Sequence, residues 1–238
     1  LIVLLGNNES PMNYPANGYH FRQDSTFLYY FGLDLPGMAA IVDPEAGKTT
    51  IFANDVDIDD IIWMGPQPSV KELALRCGVN HSQPFGELAN EIAKAKSAGR
   101  NLHFLPPYRH DNMILLHQLL GIGFENMKTE ASLPLIKAVV AQRNIKEACE
   151  IEEIEKACNI GYLMHTTAMK MAKEGIVERE IAGYIEGISL SYGSVPSFPI
   201  ILSKKVCRCR CRSASREDRK YPDTGIDRRH GRRICGDW

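Results

Sequence analysis

Short apolar runs alternating with helix-period stretches across residues 1–120 constrain the fold of this chain more than any other feature. Leu1 to Leu5 is an apolar run closed by the turn residues Gly6 to Pro11, the pattern of a buried strand. In Phe21 to Gly32, Asp24 or Ser25 can cap a short aromatic helix that Gly32 stops. Gly37 to Val42 and Thr49 to Ala53, separated by the turn-rich Asp43 to Lys48, read as a hairpin. Val70 to Cys77 and Phe85 to Ala98 are helix-like, Asn101 to Leu105 is a further short strand, and Pro106-Pro107 precedes a helix from about Asp111 to Leu120. Strands and helices in this order imply an α/β first domain.

Near Ala131 to Pro134 the pattern changes character. Ile151, Ile154, Cys158, Tyr162, His165 and Met169 recur at three- and four-residue intervals, so Lys146 to Lys173 reads as a long amphipathic helix that Gly175 terminates. A second helix is expected over Val177 to Ser191, with Glu178 and Glu180 near the positive end of its dipole. Gly193 then releases an apolar segment, Val195 to Ser203, that reads as a strand broken by Pro196 and Pro199. A second domain has begun with two helices and one strand.

After Ser203 the chemistry changes. Twelve of the 28 Lys and Arg but five of the 29 Asp and Glu lie between Lys204 and Trp238, giving that tail +7 and the preceding 203 residues −8. Cys207, Cys209, Cys211 and Cys235 sit in the tail, whereas Cys77, Cys149 and Cys158 are scattered and do not suggest a disulfide framework. The basic tail could attract nucleic acid or membrane without specificity, but no aromatic interleaving supports such a function. Hydrophobic residues at 44% and charged at 24% are ordinary globular values. No apolar run approaches the roughly 18 to 20 residues that cross a bilayer, so a cytoplasmic protein without a membrane partner is the expectation.

Candidate chemistry is sparse. Asp55, Asp57, Asp59 and Asp60 alternate as in a calcium loop, but the sixth and twelfth positions hold Asp60 and Pro66 where such a loop needs Gly and Glu, so a solvated loop is expected, with Ile61 to Met64 packing behind it. His103, His110 and His117 with Arg109 and Asp111 form the densest polar group, yet their spacing does not match helical metal ligands four residues apart. Asp111 instead reads as a helix start, and His165, on an apolar stripe, as a hydrogen-bonded core histidine. Cys207, Cys209 and Cys211 would share one face of a strand, but nothing nearby completes a tetrahedral metal set, and an unfolded tail is the expectation. No catalytic, cofactor-binding or metal-binding residue is assigned.

Gly6 to Ser10 followed by Phe21 to Gly32, then Asp55 to Met64, Phe104 to Asp111, Leu135 to Val140 and Ile145 to Ser203, resemble in order the Xaa-Pro aminopeptidases (aminopeptidase P) of the creatinase and prolidase superfamily, M24-type metallopeptidases. The resemblance implies a creatinase-type domain over 1–137, the first helices and strand of an incomplete pita-bread catalytic domain over 138–203, and an aberrant tail over 204–238. It also implies hydrolysis of the bond between a first residue and a proline in second position. In the family two divalent ions, usually manganese, held by two aspartates, a histidine and two glutamates, carry that reaction. Every such ligand would lie beyond Ser203, so this chain is expected to hold no metal pair and to be inactive as it stands. Homo-oligomerisation is implied for the full-length enzyme, with Phe21 to Gly32 packing the first domain and lining a subunit interface. One permitted set of codons for Ile226 to Gly236, moved by one base, encodes Leu-Ile-Val-Asp-Met-Gly-Ala-Glu-Tyr-Ala, the family segment that brings the first metal aspartate. A frameshift accounts for the tail on this reading. The rival from a different class is a non-catalytic peptide-binding or assembly module.

Overall fold

The computed structural model describes residues 1–15 and 17–203. The chain divides into two compact units, Leu1–Ile145 and a second beginning at Lys146. The first contains strands β1 (Ile2–Leu5), β2 (Ala39–Asp43), β3 (Lys48–Phe52) and β4 (His81–Gln83). Its helices are α1 (Ser25–Phe31), α2 (Ile58–Met64), α3 (Val70–Arg76), α4 (Glu87–Ser97), α5 (His110–Leu120) and α6 (Leu133–Asn144).

The sheet order is β1-β2-β3-β4, with β1–β2 and β2–β3 antiparallel and β3–β4 parallel. His103 adds to the free side of β1 as a parallel bridge to Ile2: Val3 N donates to the His103 carbonyl and His103 N to that of Leu1, both at 2.8 Å. The strand expected over Asn101 to Leu105 contributes only this bridge, since Pro106 and Pro107 have no amide donor with which to extend it. β4 escaped the sequence reading because His81-Ser82-Gln83 has neither apolar alternation nor β-branched residues.

Side chains alternate across the sheet and build two cores. Leu4, Ala40 and Ile51 meet Phe27 and Phe31 of α1 and Val70, Leu73 and Ala74 of α3, while Val3, Ala39, Ile41 and Phe52 meet Leu88 and Ile92 of α4. A third cluster gathers Phe104, Leu116 of α5 and Met127. The two-sided burial explains why β1 and β2 are continuous apolar runs. Local chemistry fixes α1: an Asp24 carboxylate oxygen accepts from Thr26 N and Phe27 N, both at 2.9 Å, and Gly32 stops the helix at φ 62°, a left-handed conformation open to glycine.

α6 was not read from the sequence, and it belongs with the first unit. Val139 is buried, the Tyr30 hydroxyl donates to Gln142 Oε1, Arg143 donates to Thr26 Oγ1 at 3.3 Å, and its guanidinium lies 5.4 Å from the centre of the Tyr29 ring. These ties carry the compact unit to Ile145.

In the second unit α7 (Ala148–Met171) and α8 (Glu178–Ser191) pack on each other. The bounds expected for the two helices hold to within two residues, as helix ends usually do. Ile181, Ile185 and Ser189 of α8 are buried, whereas α7 has no buried residue, leaving Ile151, Ile154, Tyr162 and Met169 exposed. Residues 195–203 form no ladder among the described residues, consistent with the donors lost at Pro196 and Pro199.

Candidate functional site

Just past β1 a set of buried and half-buried polar contacts gathers. Gly6 N donates to the Met38 carbonyl at 2.8 Å, and a β-carbon on Gly6 would stand 2.8 Å from that same oxygen, so residue 6 must be glycine for the backbones to approach. The next residue, Asn7, is buried. Its amide N donates to Gln23 Oε1 at 2.7 Å and its Nδ2 to the Arg22 carbonyl at 2.8 Å and the Tyr108 hydroxyl at 3.2 Å, while Asn112 Nδ2 donates to Asn7 Oδ1 at 3.4 Å. Gln23, 2% exposed, also accepts from Asp24 N at 2.9 Å and donates through Nε2 to the Leu33 and Leu35 carbonyls at 3.2 and 2.7 Å. One glutamine thus stitches β1, the start of α1 and the loop after it into a single element.

Arg109 extends this network to the surface. Its Nη2 donates to the Asn8 carbonyl at 3.0 Å and to Ser10 Oγ at 2.7 Å, and its Nε to Asp111 Oδ1 at 3.1 Å. Burial pushes the Tyr108 hydroxyl above its ordinary pKa, the bond from Asn7 opposing it. The amides, phenol and paired guanidinium in this set position chain and polar ligands rather than attack a carbonyl. Sequence reasoning missed Asn7 and Gln23. The available signal was the placement of Gly6-Asn7 directly after a strand.

The remaining groups identified from sequence do not converge. His103 Nδ1 pairs with Ser132 Oγ at 2.8 Å, and His117 Nδ1 with the Ile122 carbonyl at 2.8 Å, its ring stacked 4.7 Å from that of Phe124. His110 opens α5 and is exposed. His165 is also exposed: α7 has no buried residue, so the stripe expected to bury this ring does not cover it. Asp55 to Asp60 are not merely a solvated loop. Asp57 Oδ1 caps α2 by accepting from Asp60 N at 2.9 Å, and Asp55 Oδ1 accepts from Val70 N at 2.6 Å. Behind them Ile62 and Trp63, expected to pack, are 74% and 88% exposed, because α2 buries none of its residues. The tail cysteines lie outside the described residues.

Two further features complete the first unit. A cleft of about 550 Å³ opens beside α1 and α6, lined by apolar residues such as Ile2, Leu4, Phe31 and Val139 and by polar ones such as Lys48, His81 and Gln142. Cys77 also lines it, and burial raises the pKa of that thiol. On the opposite face Arg100 grips Asp43 in two bonds of 2.6 and 2.7 Å, and holds its carboxyl well below the usual carboxylate range. Among the described residues no three His, Cys, Asp or Glu side chains come together as a metal site. His103, His117 and Asp111 are bonded to separate partners and His110 is exposed, so these residues do not converge as a paired-metal centre.

With this geometry established, residues 1–103 match the family model described as the aminopeptidase P, N-terminal domain. Residues 1–103 are thus similar to an aminopeptidase P amino-terminal domain. A probable Xaa-Pro aminopeptidase of Metarhizium robertsii is 27% identical over 179 residues, covering 75% of this chain and 36% of that protein. The Xaa-Pro dipeptidase of Homo sapiens is 25% identical over 195 residues, covering 82% and 39%. The chain therefore spans little more than a third of the length of these curated relatives. Among solved structures, the low-pH form of aminopeptidase P from E. coli superposes with a TM-score of 0.63 at 19% identity, covering 81% of this chain and 45% of that one. Pseudomonas aeruginosa aminopeptidase PepP gives 0.64 at 18% identity. The aminopeptidase P fold thus continues past the first 103 residues.

Proposed function

We propose that this chain is the amino-terminal part of an Xaa-Pro peptidase, in which the first domain is a scaffold for a metal-dependent hydrolase that cleaves peptides with proline in second position. The observation that carries the reading is the family match over residues 1–103 followed, in the expected order, by the helix pair α7 and α8. The division 1–137, 138–203 and 204–238 is part of the proposal, as are a pita-bread second domain, homo-oligomerisation and a cytoplasmic location. The free thiols of Cys77, Cys149 and Cys158 are in keeping with a reducing compartment.

Two divalent ions, manganese by preference, would supply a nucleophilic hydroxide and charge stabilisation in the complete enzyme. Their ligands are proposed to lie beyond Ser203, and no step is assigned to the described residues. The chain of 238 residues is accordingly proposed to be inactive on its own. The test is to purify this chain beside a version continued in the frame that restores the acidic segment, and to follow release of the first residue from an Xaa-Pro peptide with added Mn²⁺. Activity in the restored protein alone is expected. Turnover by the shorter chain would overturn the assignment of the ligands to the missing part, and an inert restored protein would overturn the peptidase reading itself.

A further inference from the structure

We propose that Asn17-Gly18 is a self-modification site, at which Asn17 deamidates through a cyclic imide and releases the loop it closes. The loop leaves the Asn7–Arg109 network at Ser10 and returns at Tyr19. It is pinned by three backbone bonds: Met12 N to the Asn17 carbonyl at 2.8 Å, Asn17 N to that of Tyr14 at 3.0 Å and Tyr19 N to that of Ser10 at 2.8 Å. Pro11 and Gly18 face each other between the outer two of these bonds, in the non-hydrogen-bonded position of an antiparallel bridge. The Gly18 amide is therefore not committed to the ladder. Residue 18 is exposed and carries no β-carbon to screen that nitrogen. The Asn17 side chain donates through Nδ2 to Asn13 Oδ1 at 2.7 Å, an exposed bond that opens easily.

The chemistry needs only water. The Gly18 nitrogen gives up its proton and bonds to Asn17 Cγ, the Cγ–Nδ2 bond breaks, and Nδ2 leaves as ammonia with that proton. Water then opens the five-membered imide at either carbonyl, giving aspartate or isoaspartate. In the isoaspartate form the main chain runs through Cβ and Cγ, one methylene longer between the amide and carbonyl of residue 17. The bonds that residue makes to Tyr14 and Met12 cannot then both keep their length. The exposed side chains of Met12, Tyr14 and Tyr19 would lose their fixed frame, while Arg109 would still hold Ser10 at the base.

The experiment is to incubate the full chain at mildly alkaline pH and map its peptides by mass, scoring isoaspartate with isoaspartyl methyltransferase. Conversion at Asn17 is expected to outrun that at Asn54, Asn101 and Asn126, whose following residues all bear side chains, and to quicken as pH rises. Gly18→Ala should reduce conversion at Asn17 to the level of those asparagines. It should fold normally, since the new β-carbon meets only the Ser10 carbonyl, at an ordinary 3.6 Å. Asn17→Gln, which closes only a less favourable six-membered ring, should do the same. Conversion of Asn17 no faster than the other asparagines, or unchanged in both variants, would overturn the proposal.

Discussion

Replacing Gln23 by Met tests whether the polar network behind β1 holds the first domain together. The exchange keeps the length of the side chain but removes four hydrogen bonds at once: those from Asn7 N and Asp24 N, and those to the Leu33 and Leu35 carbonyls. Two of these partners, Asn7 N and the Leu33 carbonyl, are bonded in fully buried surroundings, while the other two lie where water can partly replace the glutamine. A buried donor or acceptor left unpaired costs about 1–3 kcal/mol, so the two buried groups together imply a loss near 4 kcal/mol. With a urea slope of about 2 kcal/mol/M for a domain of this size, the midpoint should fall by roughly 2 M. Urea unfolding read from hydrogen exchange of β2 and β3 peptides reports on the first unit without interference from α7 and α8. A midpoint shift below about 0.5 M would refute the reasoning, because it would mean that the groups around Gln23 find other partners at little cost.

Two further predictions rest on single contacts. Phe27 is 0% exposed between β1, β2 and α3, so Phe27→Ala should cost about 3–5 kcal/mol by the same exchange measurement; a loss under about 1 kcal/mol would show that the surrounding residues collapse into the space. Arg100 lowers the pKa of Asp43 in the folded state. The stabilisation this gives is present above the unfolded carboxylate value of about 4 and is lost as pH falls through the depressed folded value. Asp43→Asn should therefore flatten the acid limb of the stability curve below about pH 4, and an unaltered limb would show that the pair contributes nothing measurable.

What the sequence determined by itself are the elements whose cause is local. The Asp24 cap and Gly32 stop bound α1 because both act within one turn of the helix, and the β2–β3 hairpin follows from two apolar runs about a turn. α7 follows from a three- and four-residue period that needs no partner to be read, although the period could not say whether its stripe would be covered, and α8 follows from the acidic start at Glu178 and Glu180 and the release at Gly193. The order of these pieces carried the family resemblance as well. Tertiary structure alone decided the rest. β4 is a strand because its backbone lies in register with Thr50 to Phe52, not because His81-Ser82-Gln83 favours extension. α6 belongs to the first unit because Gln142 and Arg143 reach side chains more than a hundred positions earlier. The buried network is invisible in sequence for the same reason: Asn7 and Gln23 are ordinary polar residues until the fold removes water from around them, and only then does each need a hydrogen-bond partner.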